Sequence, residues 1–259
     1  MGEINYAPII DDMVWSYSRI KTFKDCPYRF YLKYIRRLRG KEMFFSSYGT
    51  FMHKLIESYY TEHKTNTQLV HTYVSEFGNS VVGHAPNKTV FANYFNQGLN
   101  YLKNIKPFPC EAIALEKGVD FNIDGYRFVG YIDFLGKKDN DVYVIDHKSR
   151  MLKPRSNRKI PTKTDEELDS YLTQLYIYSE AVKNELGVFP KKLCFNCFRS
   201  GVFIEEPFSP NGYSTARKWL SDSISEIRKE SDFEPSAEYF KCTHLCELHD
   251  ECEYYQLSK

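Results

Sequence analysis

The sequence predicts an α/β fold in which a sheet is covered on both faces by helices. Residues 141–148, Asp-Val-Tyr-Val-Ile-Asp-His-Lys, are apolar at both parities, as in a strand buried on both sides. A second apolar run, Tyr126 to Leu135, precedes it across the turn Lys137-Lys-Asp-Asn140. Long helical stretches over 49–60, 164–186 and 211–230 supply the covering layers.

The chain has 259 residues, of which 42% are hydrophobic and 16% aromatic. That suffices for one sizeable core, and residues 1–259 read as a single domain. No apolar run approaches the roughly 20 residues that span a membrane, so no membrane partner is expected. The N-terminus, Met-Gly-Glu-Ile-Asn-Tyr, lacks the basic and apolar regions of a secretion signal. Seven cysteines in such a chain point to thiols or metal ligands rather than disulfides, and to a cytoplasmic protein. Net charge is +1, so any basic surface for nucleic acid must be local.

Taken in order, the first helix has its expected N-cap at Ser18 and is interrupted at Pro27, and Tyr28 to Arg39 is helical again. There Arg29, Lys33, Arg36 and Arg37 alternate with aromatic residues, which suits either DNA contact or a solvated face. Helix 49–60 places Met52, Leu55, Ile56, Tyr59 and Tyr60 on one stripe with His53 beside it and Gly49 one turn earlier. His53 is a packed histidine or a ligand. Residues 61–110 are mainly helical, with a loop at Gly83-His-Ala-Pro86 and a stop at Pro107 to Pro109. Glu111 to Phe121 is the first strand, and Asp124-Gly125 turns into the second. Glu116 is an extra acid for a site or a strand-surface residue.

The hairpin carries the chemistry. With Asp139-Asn140 at the centre of its turn, Asp133 lies directly opposite Asp146, their Cβ atoms roughly 4.5–5.5 Å apart. A four-residue turn makes them diagonal but keeps them on one face. Each ends a strongly apolar run, and buried acids need partners. Paired carboxylates repel unless a cation lies between them, and hard oxygen ligands suit Mg²⁺ or Mn²⁺. Lys148 shares the parity of Asp146, which sets a positive group beside that site.

Residues 148–163 then carry Arg150, Lys153, Arg155, Arg158, Lys159 and Lys163 with no acid between them, in a proline-containing loop. A basic loop leaving a metal site is suited to hold a polyanion's backbone. Helix 164–186 has acids in its first turn and Gly187 after its end, and aligns Gln174 with Tyr178 at i, i+4. Lys191 to Phe198 and Val202 to Glu206 read as strands. Cys194 and Cys197 are an odd number apart and so face opposite ways, which argues against a zinc knuckle. In the tail, Cys242, Cys246 and Cys252 are a ligand set lacking its fourth member, for which Cys26 is the candidate. Four cysteines suit an iron–sulfur cluster or zinc, and His244 and His249 leave a mixed zinc site open. Joining Cys26 to the tail would close almost the whole chain into one loop, a structural role.

With these residues assembled, the chain resembles the PD-(D/E)xK nuclease superfamily. The resemblance is to its RecB-like branch, which includes CRISPR-associated iron–sulfur exonucleases and the nuclease domains of helicase–nucleases. Gly49 to His53 matches the first motif and Gly130-Tyr-Ile-Asp133 the second. Asp146-His-Lys148 matches the D/E-x-K signature, and Gln174 to Tyr178 the Q-x3-Y motif. Cys26-Pro27 and the tail cysteines resemble the family's split iron–sulfur site, although the tail reads C-x3-C-x5-C where C-x2-C-x5-C is commoner. The resemblance implies a restriction-endonuclease-like core, a central mixed sheet flanked by helices, with its catalytic part in 49–62 and 111–207. Segments 18–40 and 240–255 would be stapled by a [4Fe-4S] cluster on Cys26, Cys242, Cys246 and Cys252, or by Zn²⁺. His53, Asp133, Asp146 and the His147 carbonyl would hold Mg²⁺ or Mn²⁺, Lys148 would be the catalytic lysine, and Gln174 and Tyr178 would position the phosphate. The implied function is a metal-dependent DNA nuclease, an exonuclease in recombination, repair, CRISPR adaptation or phage DNA processing. A separate helicase, recombinase or CRISPR-adaptation protein, or an oligomer, would then be its partner. The rival readings are a catalytically silent DNA-binding subunit with the same fold, and a zinc-stabilised RNA-binding module.

Overall fold

In the computed structural model, which describes residues 5–256, the chain opens with helices α1 (Ala7–Asp11), α2 (Tyr17–Asp25) and α3 (Pro27–Phe30). α3 runs on as a π-helical turn over Tyr31–Ile35. Helices α4 (Phe44–Thr61), α5 (Asn66–Ser80) and α6 (Lys88–Asn104) follow, then strands β1 (Glu111–Ile123), β2 (Tyr126–Lys138) and β3 (Asp141–His147). α7 (Lys163–Leu186) crosses over to β4 (Lys192–Cys197) and β5 (Val202–Pro207). α8 (Pro210–Lys229), α9 (Tyr239–His244) and α10 (Glu253–Gln256) complete the chain. No helix among the described residues is long and apolar enough to cross a membrane.

Two expectations at the N-terminus are corrected. The cap of α2 is Ser16, not Ser18. Ser16 is extended and its Oγ accepts the Arg19 N–H at 3.2 Å, whereas Ser18 lies inside the first turn. The second helical stretch ends at Ile35 rather than Arg39, and Arg37 beyond it is left-handed at φ 57°. Pro27 begins that stretch, at a position where its missing N–H costs nothing.

The sheet is mixed, in the order β1-β2-β3-β4-β5, antiparallel throughout except for β3 beside β4. Tight two-residue turns close both hairpins, with left-handed residues at Asp124, Gly125 and Asp139. The β2–β3 ladder runs from Lys138 opposite Asp141 to Phe134 opposite Ile145. One further step of that register sets Asp133 across from Asp146, as the two-residue turn requires.

Strand parity then divides the interior. Val142 and Val144 pack in the larger core with Leu168, Leu172 and Leu175 of α7 and with Leu220 and Ile224 of α8. Tyr143 and Ile145 face the other way, onto Phe134 and Cys194. Cys197 lies in the larger core, so the two cysteines of β4 do occupy opposite faces. Helices α4 to α6 share a core rich in aromatic residues, with Phe44, Tyr48 and Phe51 from α4, Tyr73 and Phe77 from α5, and Leu102 from α6.

The alternation breaks around Glu116. Ala114 and Val119 both contact the larger core although their numbers differ in parity, as do Ile132 and Leu135. In between lie Glu116, left-handed at φ 42°, and Asp133. Leu115 pairs with Phe134 and Lys117 with Ile132, which leaves Glu116 across from Asp133 at the kink. A non-glycine residue in that conformation is strained, and such strain concentrates at functional sites.

The basic loop before α7 is tied down by one buried acid. Asp165 accepts the N–H and hydroxyl of Ser156 and the N–H and hydroxyl of Thr162, all at 2.6–2.7 Å. Those bonds to Ser156 and Thr162 hold its carboxyl well below the usual carboxylate range. A carboxyl depressed in the folded state stabilises above its unfolded pKa and loses that contribution as the pH falls. Asp165→Asn is therefore expected to lower the thermal midpoint at neutral pH. The gap from wild type should narrow as pH falls below about 4. A pH series of melting curves checks this.

Candidate active site

Helix α4 delivers His53 to the kinked sheet because Met52, Leu55 and Ile56 are buried on the adjoining stripe. Its Nε2 donates to the His147 carbonyl at 3.1 Å. A carbonyl only accepts, so the other nitrogen faces the acids: Nδ1 lies 3.4 Å from Glu116 and 3.7 Å from Asp133. The ligand atoms of His53, Glu116 and Asp133 all fall within 4.8 Å of one another. Asp133 Oδ2 also accepts the His147 N–H at 2.7 Å, which fixes it against the end of β3.

Asp146 and Lys148 leave that end together. Lys148 Nζ lies 2.8 Å from Asp146 Oδ2, donates to Gln174 Oε1 at 3.0 Å and stands 5.5 Å from the Tyr171 ring centre. Asp146 is 5% exposed, and its Oδ2 receives no well-directed hydrogen bond. Tyr178 follows Gln174 by one turn of α7 and packs on β2 where Gly130 leaves room. A Cβ at residue 130 would meet the Tyr178 hydroxyl at 2.5 Å. Gly130→Ala is therefore expected to displace the tyrosine and cost about 1–3 kcal/mol of stability, measurable by denaturant unfolding.

The electrostatics describe a site short of positive charge. Burial opposes a charge on His53, but Glu116 at Nδ1, with Asp133 and Asp146, outweighs it and raises the imidazole above its ordinary range. Burial, and then Asp146, push the Asp133 carboxyl well above the usual carboxylate range. Burial also opposes the Lys148 charge, and Asp146 overturns this so that the ammonium is favoured. His147 is buried and pushed far down, so its ring stays neutral. A divalent cation fits here. The donors are a histidine nitrogen and hard carboxylate oxygens, one buried oxygen is poorly satisfied, and the acids repel without a counter-charge.

The structure thus brings His53, Asp133, Asp146, His147, Lys148 and Gln174 together, with Tyr178 behind Gly130. It adds Glu116, whose place beside a strand surface was an equal reading of the sequence. No spacing signal marks Glu116, because the kink that turns it inward interrupts the strand alternation. Gly49 plays no packing role: a Cβ there would meet nothing within 4 Å.

The four cysteines also converge. Cys26, Cys242, Cys246 and Cys252 line one cavity of about 150 Å³, with Tyr28, Leu32 and Tyr254 around it. Arg29 and Lys33 both pair with Glu247, Lys41 pairs with Asp250, and the Tyr28 hydroxyl donates to Glu253 at 2.8 Å. That basic face therefore docks the tail. His249 lines the cavity too, but Nδ1 donates to the Cys246 carbonyl at 2.8 Å and Nε2 lies 3.3 Å from Asp250. His244 packs its ring on Phe240. In the basic loop, Arg150 pairs with Glu167, and Arg155 with Asp169 and Glu206. Lys153, Arg158 and Lys159 are exposed and have no ion pair among the described residues.

The model of the PD-(D/E)XK nuclease superfamily matches residues 14–253. The chain belongs to this superfamily. Its nucleases use divalent metals and act on DNA. The crystal structure of the "Putative exonuclease" from Eubacterium rectale shares the fold. At 12% identity it aligns over 100% of this chain and 94% of its own, with a TM-score of 0.52. The structure of SSO0001 aligns over 80% of this chain and 98% of its own at 21% identity, with a TM-score of 0.31 that carries no weight. No curated protein matches the chain.

Proposed function

We propose that this PD-(D/E)XK nuclease is a metal-dependent deoxyribonuclease, an exonuclease acting in the cytoplasm on DNA ends or single strands. The carrying observation is the His53 Nδ1 facing Glu116 and Asp133, with Lys148 held beside it between Asp146 and Gln174. His53, Glu116, Asp133 and Asp146 would hold Mg²⁺ or Mn²⁺, which when bound supplies Lewis-acid stabilisation of the phosphoryl charge and a more acidic water. The His147 carbonyl, a fifth donor group at the site, accepts from His53 in this structure. Lys148 presents a fixed ammonium to the scissile phosphate, where it offsets the negative charge that develops in the transition state. Gln174 orients that ammonium through its Oε1, and Tyr178 backs Gln174 on the same face of α7. Open space at Gly49, one turn above His53, leaves room for a strand to approach. Lys153, Arg158 and Lys159, the unpaired cations of the basic loop, would meet the backbone beyond, with Arg150 and Arg155 exchanging their carboxylate partners for phosphates.

Glu116→Gln is expected to weaken Mn²⁺ binding about 10–100-fold, by titration calorimetry, without unfolding the protein. The reading as an exonuclease is tested with linear and closed circular DNA, single- and double-stranded, in Mg²⁺, Mn²⁺ or EDTA. Metal-dependent loss of linear DNA alone supports it. Cutting of circles makes the protein an endonuclease, and retained binding without cutting favours a silent DNA-binding subunit.

The cysteine cavity would hold a [4Fe-4S] cluster. Tetrahedral Zn²⁺ with Zn–S bonds near 2.3 Å needs sulfurs about 3.8 Å apart. Among the described residues, the ligand group within 4.8 Å is the His53 site, not the cysteines. A wider set of four thiols with both His249 nitrogens engaged suits a cluster. Elemental analysis of anaerobically purified protein is expected to give about four irons per chain. Stoichiometric zinc would replace that reading.

A further inference from the structure

One cation near the site is held differently from the rest. Arg199 follows the end of β4, one residue after Phe198, whose ring centre is 6.4 Å from that of His53. Its guanidinium carbon lies over the Tyr94 ring of α6, 3.4 Å from the ring centre. Nε donates to Gln97 Oε1 at 2.9 Å, and one terminal nitrogen donates to the Ser149 carbonyl at 3.2 Å, one residue beyond Lys148. Every one of these partners is neutral. Arg150, Arg155 and Lys148 each face a carboxylate, whereas Arg199 has none among the described residues.

A guanidinium stacked on a ring and bonded to amide and carbonyl oxygens has lost most of its side-chain freedom yet kept its full charge. Remaining N–H groups are left to bind an anion, with the entropy of ordering already met by the fold. Half-burial strengthens the attraction relative to a solvated lysine. Resting on the nuclease reading above, we propose that Arg199 binds a phosphate of the DNA strand next to the one being cut. It is a positioning residue: it sets the strand's register against Lys148 through the shared Ser149 segment. Helix α6, which carries Tyr94 and Gln97, gains a part in substrate binding that its polar sequence does not announce.

The alternative is that Arg199 merely pins the loop after β3 to α6. Salt dependence separates the two, because a phosphate contact releases counterions and an internal pin does not. Binding of a single-stranded oligonucleotide is measured by fluorescence anisotropy in Ca²⁺ across a NaCl series, for wild type, Arg199→Gln and Arg199→Lys. The slope of log K against log salt should fall by about 0.7 in Arg199→Gln and be largely restored in Arg199→Lys, with the melting midpoint of each variant recorded alongside. Arg199→Met offers Tyr94 an unbranched apolar side chain of similar reach and serves as the neutral variant if Arg199→Gln does not fold. An unchanged slope in the neutral variant overturns the proposal even if cleavage is impaired. A wild-type protein that neither binds nor cuts DNA overturns the nuclease reading and this one with it. Wild-type cutting with an unchanged variant slope removes Arg199 alone.

Discussion

Lys148→Ala is expected to reduce single-turnover cleavage about a thousandfold, roughly 4 kcal/mol of transition-state stabilisation. The ammonium sits 2.8 Å from Asp146 and 3.0 Å from Gln174, so it is fixed before substrate arrives and costs no reorganisation during reaction. Its removal leaves Asp146 buried without its ion-pair partner. In the metal-free protein that should appear as lost stability, since breaking a buried pair costs about 3–5 kcal/mol. Divalent metal should recover much of this by supplying the counter-charge. Cleavage, melting with and without Mn²⁺, and Mn²⁺ affinity together check the prediction. Near-normal cleavage would remove Lys148 from the mechanism.

Cys26→Ser is expected to lower the melting midpoint by about 10–20 °C and to abolish stoichiometric iron. Without that cross-link, positions 26 and 242 are joined through the intervening chain and the tail's non-covalent contacts, its ion pairs and the Tyr28–Glu253 hydrogen bond among them. A cross-link closing about 220 residues removes on the order of 5 kcal/mol of unfolded-state entropy, and each kcal/mol moves the midpoint of a chain this size by about 2–4 °C. The N-terminal helices should loosen with it, because Phe23 and Phe30 pack on Phe233 in the segment leading to the tail. Differential scanning calorimetry of anaerobic protein checks this. A midpoint shared by wild type and variant, with iron absent from both, would reduce the staple to its ion pairs.

Much of this was legible in the sequence, because local chemistry fixed it. The register that opposes Asp133 to Asp146 follows from a two-residue turn whose Asp139 accepts a left-handed backbone. The parity of Val142, Val144, Asp146 and Lys148 decides that Lys148 faces α7, where its ammonium meets Gln174. Cys194 and Cys197 part for the same reason. What stayed hidden depends on contacts distant in sequence or on broken periodicity. Ser16 and Ser18 are equally good caps on paper, and the backbone at Ser16 chose between them. Glu116 was ambiguous because its inward turn comes from a kink that a period-2 pattern does not contain. Arg199 gave no signal, since its partners lie on α6 and in the segment after β3. The basic loop read as free cations, and the carboxylates that neutralise Arg150 and Arg155 belong to α7 and β5.

The most direct test measures Mn²⁺ binding by titration calorimetry and cleavage of end-labelled linear DNA on the same preparations of wild type and Asp133→Asn. Wild type should bind Mn²⁺ without DNA and cut only when the ion is present. Asp133→Asn should remain folded and lose both. Cleavage that persists in EDTA, or in Asp133→Asn, would contradict a metal centre built on His53, Glu116, Asp133 and Asp146.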